Sequence, residues 1–516
     1  MPETITELLD DAAARFPDEV AINVFDRAEK LTYGELRSAV ARFADGLDGM
    51  GVKRGDHVAV MLSNRIEFPI TWLSLARLGA VMVPIVLSSS SREIEFFISD
   101  SEASFIIVEV GLFEERGIEV GVGAIPPADR IVTVGAAGPR SYEALTASGR
   151  AQFQPPYRPL RDDLLNIQYT SGTTGLPKGV MLSHRYWIIC GASGQTFFDL
   201  PFRSILADAP FYYMDSQWML VAALLCGGRL DLAERPSITK YVDRLHQQRS
   251  QVAWLTEQVL KDPPQDKERS TDIRLFLGYN QSPSTVRLAE ERFGAPVREL
   301  YGSTEAGGVL GVPLHVEDVE IIGTCGVPYP HREVRIVRSD GMDCADGEVG
   351  ELWVKGDGIM SGYWRRPEAN AELLVDSWFR TGDLFVRSAK GFYSIVGRLK
   401  DMVRRSGENI ASIEVEQVLM DMAEIAFAAV VAVPDDDREE EAKAYVQLAD
   451  GVACPSYDAM LAHCRARLAP FKVPRYWAFV DEFPFTPSEK IAKRELTAGV
   501  TDLRVGAWDA QDNVQR

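Results

Sequence analysis

Cysteine and histidine are scarce in this sequence, and those present are badly placed for metal or disulfide chemistry. The six cysteines, Cys190, Cys226, Cys325, Cys344, Cys454 and Cys464, form no C-x-x-C pair, and the six histidines do not cluster beside them. A zinc site or a disulfide framework needs such spacing, so the thiols are expected to be reduced and mostly buried. Long apolar runs are absent as well: no stretch approaches the roughly 18 residues of a transmembrane helix. The start, Met1, Pro2, Glu3, Thr4, Ile5, lacks the basic residues and apolar core of a secretory leader. Positive charge is in deficit, with 55 Lys and Arg against 75 Asp and Glu and a net charge of −20. Such a field disfavours non-specific binding to nucleic acid or an anionic membrane. These absences point to a cytoplasmic protein, and any phosphate pocket must be built by specific residues.

What is present is an ordinary globular balance, 46% hydrophobic and 25% charged over 516 residues. At roughly 150 residues per domain this length predicts two to four structural units. Thr32 and Glu35 read as a capping box ahead of Leu36, Val40, Phe43 and Leu47 at helical spacing. Apolar runs at 57–62, 80–85 and 105–110 read as buried strands. Strands alternating with helices predict an α/β fold with a parallel, helix-covered sheet. From Gly341 the texture turns β-rich, punctuated by Gly347, Gly350, Gly356, Gly358 and Gly362. A polar stretch at 397–409 then precedes a helical run at 412–420, strands at 427–433 and 443–448, and a helix at 456–468. The expected architecture is a large N-terminal domain, 1–397, of helix-covered sheets with a small β-rich subdomain at about 325–397. A mobile α+β C-terminal domain, 398–516, follows. The tail after Thr501 shows little periodicity and is expected to be poorly ordered.

The most informative string is the eleven residues Tyr169, Thr170, Ser171, Gly172, Thr173, Thr174, Gly175, Leu176, Pro177, Lys178, Gly179, which follow a strand-like run at 164–168. Hydroxyls, glycines that let backbone N–H groups face an anion, and one lysine make a phosphate cradle. Pro177 before Lys178 departs from the common nucleotide-binding loop, which places glycine there. Further blocks come in sequence: Tyr301, Gly302, Ser303, Thr304, Glu305; then Trp378 to Asp383; then Gly397, Arg398, Leu399, Lys400, Asp401; then Ser406, Gly407, Glu408, Asn409; and last Pro487, Ser488, Glu489, Lys490, Ile491.

These blocks, in this order, resemble those of the superfamily of acyl–CoA synthetases, peptide-synthetase adenylation domains and firefly-type luciferases. The resemblance runs over about 5–496 and leans toward acid–CoA ligases of the crotonobetaine/carnitine–CoA ligase type. It implies an enzyme that joins a carboxylic acid to coenzyme A through an acyl-adenylate, using ATP and Mg²⁺. It places ATP against Thr170, Ser171, Gly172, Thr173, Thr174 and Lys178, against Gly278, Tyr279 and Asn280 at the adenine, and against Tyr301, Gly302, Ser303 and Thr304. Glu305 is implied as the Mg²⁺ ligand, a carboxylate acting with phosphate oxygens and water. Asp383, an acceptor-only group, and Arg398 are implied at the ribose. Lys400 is implied as the hinge, Ser406, Gly407 and Glu408 as the coenzyme A contact, and Lys490, with Thr304 and Glu305, as the catalytic set.

Two positions depart from the family pattern. Glu489 stands where glycine is common before the last lysine, and Tyr213 stands where many relatives carry a histidine gate, which tyrosine cannot replace as a titrating group. The acyl pocket is expected from Tyr213, Met214, Gln217, Tyr279, Ala306, Gly307 and Leu310. Tyr279 would either stack on adenine or narrow that pocket. Aromatic residues at 212, 213, 218 and 279 fit a cationic or aromatic acid, and equally fit core packing. Two other readings stay open: an enzyme that loads a separate carrier protein, and a non-catalytic ATP- or acyl-binding relative. The sequence is silent on oligomeric state.

Overall fold

The computed structural model describes residues 2–170, 177–198, 201–279, 281–316, 318–406, 408–435, 437–485 and 491–516. By its contacts the chain divides into two compact units. The first comprises Met1–Val334 with Val354–Phe379, the second Arg335–Trp353 with Arg380–Arg516.

Two sheets organise the first unit. In one, the strands run in the order Ile131–Val134, Phe105–Glu109, His57–Met61, Val81–Pro84, Leu164–Thr170, Lys178–Ser183. All neighbours are parallel except the last pair, which is antiparallel. The buried apolar runs expected at 57–62, 80–85 and 105–110 are the three innermost of these parallel strands, as a sheet covered on both faces requires. The other sheet has nine strands; Val20–Val24, Arg229–Leu232, Ser204–Ala207, Val252–Trp254, Leu275–Gly278 and Val297–Ser303 lie parallel in that order.

The helices follow from local signals. Thr32 caps Tyr33–Gly49: its hydroxyl accepts from the Glu35 N–H at 3.2 Å, and the Glu35 carboxylate accepts from the Thr32 N–H at 2.8 Å. Leu36, Val40, Phe43 and Leu47 are the buried stripe. Between helices and sheet sits one buried amide. The Asn166 side-chain carbonyl accepts from the indoles of Trp72 at 2.8 Å and Trp187 at 3.1 Å, and its NH₂ donates to Gln217 at 3.0 Å. Gln217 in turn donates to the Phe211 carbonyl at 2.9 Å. A buried polar group is tolerated when it is satisfied in this way. Here it locks the strand Leu164–Thr170 to the helices Glu67–Leu78, His184–Phe198 and Met214–Cys226.

In the second unit, Ile425–Asp435 and Glu439–Leu448 form a long antiparallel pair. The helix Ser412–Met420 has the bounds its sequence predicted, and Ser456 caps the helix Tyr457–Arg465. The tail is ordered, contrary to expectation. Trp508–Asp509 pairs with Tyr476–Phe479, and Val514–Gln515 pairs with Trp508–Asp509. Fully buried Asp509 is the reason: its carboxylate accepts from Arg475 at 3.1 Å and from Arg516 at 2.5 Å. Burial opposes its ionisation, yet these two guanidinium groups hold its pKa at about 2. All six cysteines are free thiols. Among the described residues no helix is long and apolar enough to cross a membrane.

Candidate functional site

The seven residues 171–177 join Leu164–Thr170 to Lys178–Ser183, with Thr170 opposite Lys178 and Tyr169 opposite Gly179. Ser171, Gly172, Thr173 and Thr174 lie outside the described residues. The strand carrying Lys178 has a second neighbour. Val180 bridges antiparallel to Tyr363, the Met181 N–H donates to the Gly362 carbonyl at 2.9 Å, and the Trp364 N–H donates to Gly179 at 2.8 Å. This contact brings the Tyr363 ring under Lys178, with the ammonium 5.1 Å from its centroid. The Tyr363 hydroxyl donates to Glu305 Oε1 at 2.9 Å. Burial, and then the Glu305 charge, push the Tyr363 pKa well up, so it remains a donor. Lys178, Tyr363 and Glu305 therefore form one connected set. Sequence reasoning missed Tyr363; its only signal was its place after the turn glycine Gly362.

Glu305 sits in the tight turn between Val297–Ser303 and Gly307–Gly311. Glycine is required on both sides. A Cβ on Gly302 would lie 2.5 Å from the Gly307 carbonyl oxygen. Gly307 has φ +64°, and a Cβ there would meet Cys190 Sγ at 2.7 Å. Gly302 and Gly307 are thus demanded by their own packing, apart from any room they leave for a substrate. Three further contacts fix the turn. Ser303 Oγ accepts from the Ala306 N–H at 3.2 Å, the Met360 N–H donates to the Glu305 carbonyl at 2.8 Å, and the Tyr186 hydroxyl donates to the Thr304 carbonyl at 2.8 Å. Behind it, buried Arg332 donates to the carbonyls of Ala306 at 2.7 Å, Gly308 at 2.9 Å and Gly358 at 3.1 Å, and to that of Asp357. Burial lowers the Arg332 pKa. Neither Tyr186 nor Arg332 was legible as a site residue, since an isolated tyrosine or arginine carries no spacing signal.

The donor set suits Mg²⁺. Glu305 presents a half-buried carboxylate with Oε1 held by Tyr363, and Oε2 takes no hydrogen bond among the described residues. A hard cation that keeps its water and takes one or two carboxylates alongside substrate phosphates needs no more from the protein.

Next to this turn, Gly278 ends the strand Leu275–Gly278, and Tyr279 follows it. Asn280 lies outside the described residues. Tyr279 is 47% exposed, and one face stacks on Trp254 with centroids 4.3 Å apart and an interplanar angle of 22°. Trp218 meets Trp254 edge-on at 6.2 Å, and its indole donates to Asp215 at 3.3 Å. Trp254 joins the expected aromatic set without having been foreseen. Tyr213 is the residue before the helix Met214–Cys226 and packs edge-on against Tyr212 at 4.8 Å. Met214 Sδ lies 4.0 Å from the Tyr186 hydroxyl. Tyr301, Ala306 and Leu310 are buried, Leu310 opposite Tyr301 in the hairpin. Gln217 differs from expectation. It is fully buried and both ends of its amide are used by Asn166 and Phe211, so it braces the helix from behind and offers nothing to a ligand.

Within the second unit, Asp383 and Arg398 are direct partners on adjacent antiparallel strands, Trp378–Arg387 and Tyr393–Arg398, with Arg398 Nε 3.2 Å from Asp383 Oδ1. Lys400 is exposed in the single 3₁₀ turn Leu399–Asp401 that follows. Ser406, at φ +52°, follows the first strand of the hairpin Met402–Arg405 and Glu408–Ala411, with Arg405 opposite exposed Glu408. Left-handed backbone at such a turn is what a short hairpin requires. Gly407 itself lies outside the described residues, as do Glu489 and Lys490. Their flanks are anchored. Phe485 bridges antiparallel to Ile491, the Ala492 N–H donates to Pro484 at 2.7 Å, and Lys493 Nζ lies 2.6 Å from the carboxylate of buried Glu416.

The comparisons agree over most of the chain. Residues 9–364 match the AMP-binding enzyme family and residues 414–490 its C-terminal domain. A feruloyl-CoA synthase of Amycolatopsis is 33% identical over 477 residues, covering 90% of this chain and 93% of that protein. A 4-hydroxybenzoate–CoA/benzoate–CoA ligase of Rhodopseudomonas palustris is 31% identical, covering 93% and 91%. A long-chain-fatty-acid–CoA ligase of Salmonella typhimurium is 30% identical, covering 96% and 94%. Among solved structures, ATP-bound MatB from Rhodopseudomonas palustris superposes with a TM-score of 0.84 at 26% identity, covering 95% of this chain and 98% of that one. MenE of Bacillus subtilis with ATP and magnesium gives 0.84 at 25%, covering 95% and 99%. The chain belongs to the AMP-binding enzyme family, within the superfamily of adenylate-forming acyl–CoA synthetases.

Proposed function

We propose that this chain is an AMP-forming acid–CoA ligase whose acid carries an aromatic ring. In the first half-reaction a substrate carboxylate oxygen attacks the α-phosphorus of ATP, and the bond to the bridging oxygen of pyrophosphate breaks. In the second the sulfur of coenzyme A attacks the acyl carbonyl carbon, and AMP leaves. The protein forms no covalent bond in either step; it orients reactants and offsets charge. Lys178 and the Thr170 to Thr174 segment face the phosphates, Thr304 the phosphate nearest the turn, and Tyr301, Gly302 and Ser303 the nucleotide beside it. Asp383 and Arg398 hold the ribose, and Gly278 with Tyr279 and Asn280 the adenine edge. Glu305 would hold Mg²⁺, which when bound neutralises phosphate charge and favours departure of pyrophosphate. Lys490 meets the acid and the α-phosphate. For the second half-reaction a C-terminal domain beginning near 398 turns about Lys400 and presents Ser406, Gly407 and Glu408 to coenzyme A. Cytoplasmic residence belongs to the same reading, since ATP and coenzyme A are consumed and the thiols are free.

The observation that supports an aromatic acid is the ladder of Trp218, Trp254 and Tyr279, which ends on half-exposed Tyr279. An aromatic substrate gains from such a wall both area and offset or edge-on ring geometry. The names of two relatives, a feruloyl-CoA synthase and a benzoate ligase, support it as well. Asp215 beside Trp218 favours one second reading, an acid with a quaternary ammonium group, which aromatic faces and a carboxylate also attract. Pyrophosphate release with hydroxycinnamate, hydroxybenzoate, a trimethylammonium-bearing acid and a long-chain fatty acid separates them. The aromatic reading expects kcat/KM for a hydroxycinnamate or hydroxybenzoate to exceed that for the fatty acid by about tenfold or more. One ring contact worth roughly 1.4 kcal/mol sets that floor. Equal rates, or a preference for the fatty acid, would contradict it.

A further inference from the structure

We infer that Tyr363 is a positioning residue for the nucleotide end of the site: it fixes the carboxylate of Glu305 and seats the ammonium of Lys178 on one ring. The inference rests on the roles proposed above for those two groups and adds a third residue that couples them. A glutamate side chain at a turn has several rotamers of similar energy, and a carboxylate meant for a metal must choose among them before the metal arrives. Here the choice is made by the Tyr363 hydroxyl, which donates to Oε1. Tyr363 is itself held by burial and by its backbone bonds. It is 7% exposed, its N–H donates to the Asn370 side chain at 2.6 Å, and its carbonyl accepts from the same side chain at 2.9 Å. Its backbone lies along the strand that begins at Lys178 through the Val180 bridge. Gly362, at φ +118°, allows that approach, since a Cβ there would crowd Asn370 at about 3.0 Å. The Tyr363 ring face then offers the Lys178 ammonium an attractive seat that does not neutralise it, unlike a carboxylate. One residue thereby sets the lateral position of a cation and the rotamer of an anion, two groups that must grip opposite parts of the same polyphosphate.

The two contacts separate by substitution. Tyr363→Phe keeps the ring and deletes the hydroxyl; Tyr363→Leu deletes both. Tyr363→Phe is expected to raise the Mg²⁺ concentration for half-maximal pyrophosphate release about tenfold, the scale of one hydrogen bond to a charged group. Excess Mg²⁺ should restore most of the rate. Calorimetric titration of ATP should show weaker binding with Mg²⁺ present and unchanged binding in EDTA. Tyr363→Leu should weaken ATP binding in EDTA too, because the lysine loses its seat. Glu305→Gln is the control. If it shifts the Mg²⁺ requirement and Tyr363→Phe does not, the inference is overturned while the role of Glu305 stands. If neither shifts it, the metal role of Glu305 fails and the inference falls with it. A lower melting temperature for Tyr363→Phe, with kcat reduced and the Mg²⁺ requirement unchanged, marks a merely structural tyrosine and also overturns it.

Discussion

Replacing Lys490 by alanine is expected to cut acid-dependent pyrophosphate release by about a hundredfold or more, while thioester formation from supplied acyl-adenylate stays within a few-fold of the unmodified enzyme. The magnitude is that of removing one preorganised charge from the place where charge develops in the transition state. The asymmetry follows from the chemistry. In the first half-reaction an anionic carboxylate approaches an anionic phosphate, and a lysine between them offsets the repulsion. In the second a thiol approaches a carbonyl, and that repulsion is gone. The residues flanking 486–490 are anchored, by the bridge of Phe485 to Ile491 and by the ion pair of Lys493 with buried Glu416. Removing the Lys490 ammonium therefore leaves those anchors in place. Stopped assays of the two half-reactions check the prediction. Equal losses in both would remove Lys490 from the role given to it.

The complementary result is expected from Lys400→Pro. Proline fixes φ near −65° and deletes an N–H donor. Lys400 occupies the single 3₁₀ turn between the strand that ends at Arg398 and the one that begins at Met402. A turn that already has φ near that value can accept proline in one state, and is then barred from rotating to another. Adenylate formation should stay within about twofold, and transfer to coenzyme A should fall about tenfold or more, the pattern of a hinge substitution. Pyrophosphate release impaired alone would place the pivot elsewhere. Together the two variants split the reaction into halves that fail separately.

The sequence exposed those parts of this protein whose cause is local. The cap at Thr32 and Glu35, the apolar strands around 57–61, 81–84 and 105–109, and the helix Ser412–Met420 need only neighbours in the chain to form. The same holds for the motif residues, whose spacing is itself the signal. Features joined across long separations were invisible. Asp509 helps order the tail because Arg475, 34 residues away, joins Arg516 on its carboxylate. Gln217 sits at an expected pocket position, yet it is turned inward by Asn166, 51 residues away. Arg332 reads as a surface arginine until four carbonyls are found around it. Tyr363 lies 58 residues from Glu305 and looked like one tyrosine among sixteen. A pairwise contact between distant positions leaves no periodicity, so no reading of spacing reveals it.

The products of one incubation test the reaction most directly: enzyme, ATP, Mg²⁺ and an aromatic carboxylic acid, with and without coenzyme A. Without coenzyme A, pyrophosphate and enzyme-bound acyl-adenylate should appear at about one equivalent and then stop. With it, AMP, pyrophosphate and acyl–CoA should accumulate together in equal amounts through many turnovers. Formation of ADP and orthophosphate, or pyrophosphate released regardless of acid, would contradict adenylate-forming ligation as the reaction of this chain.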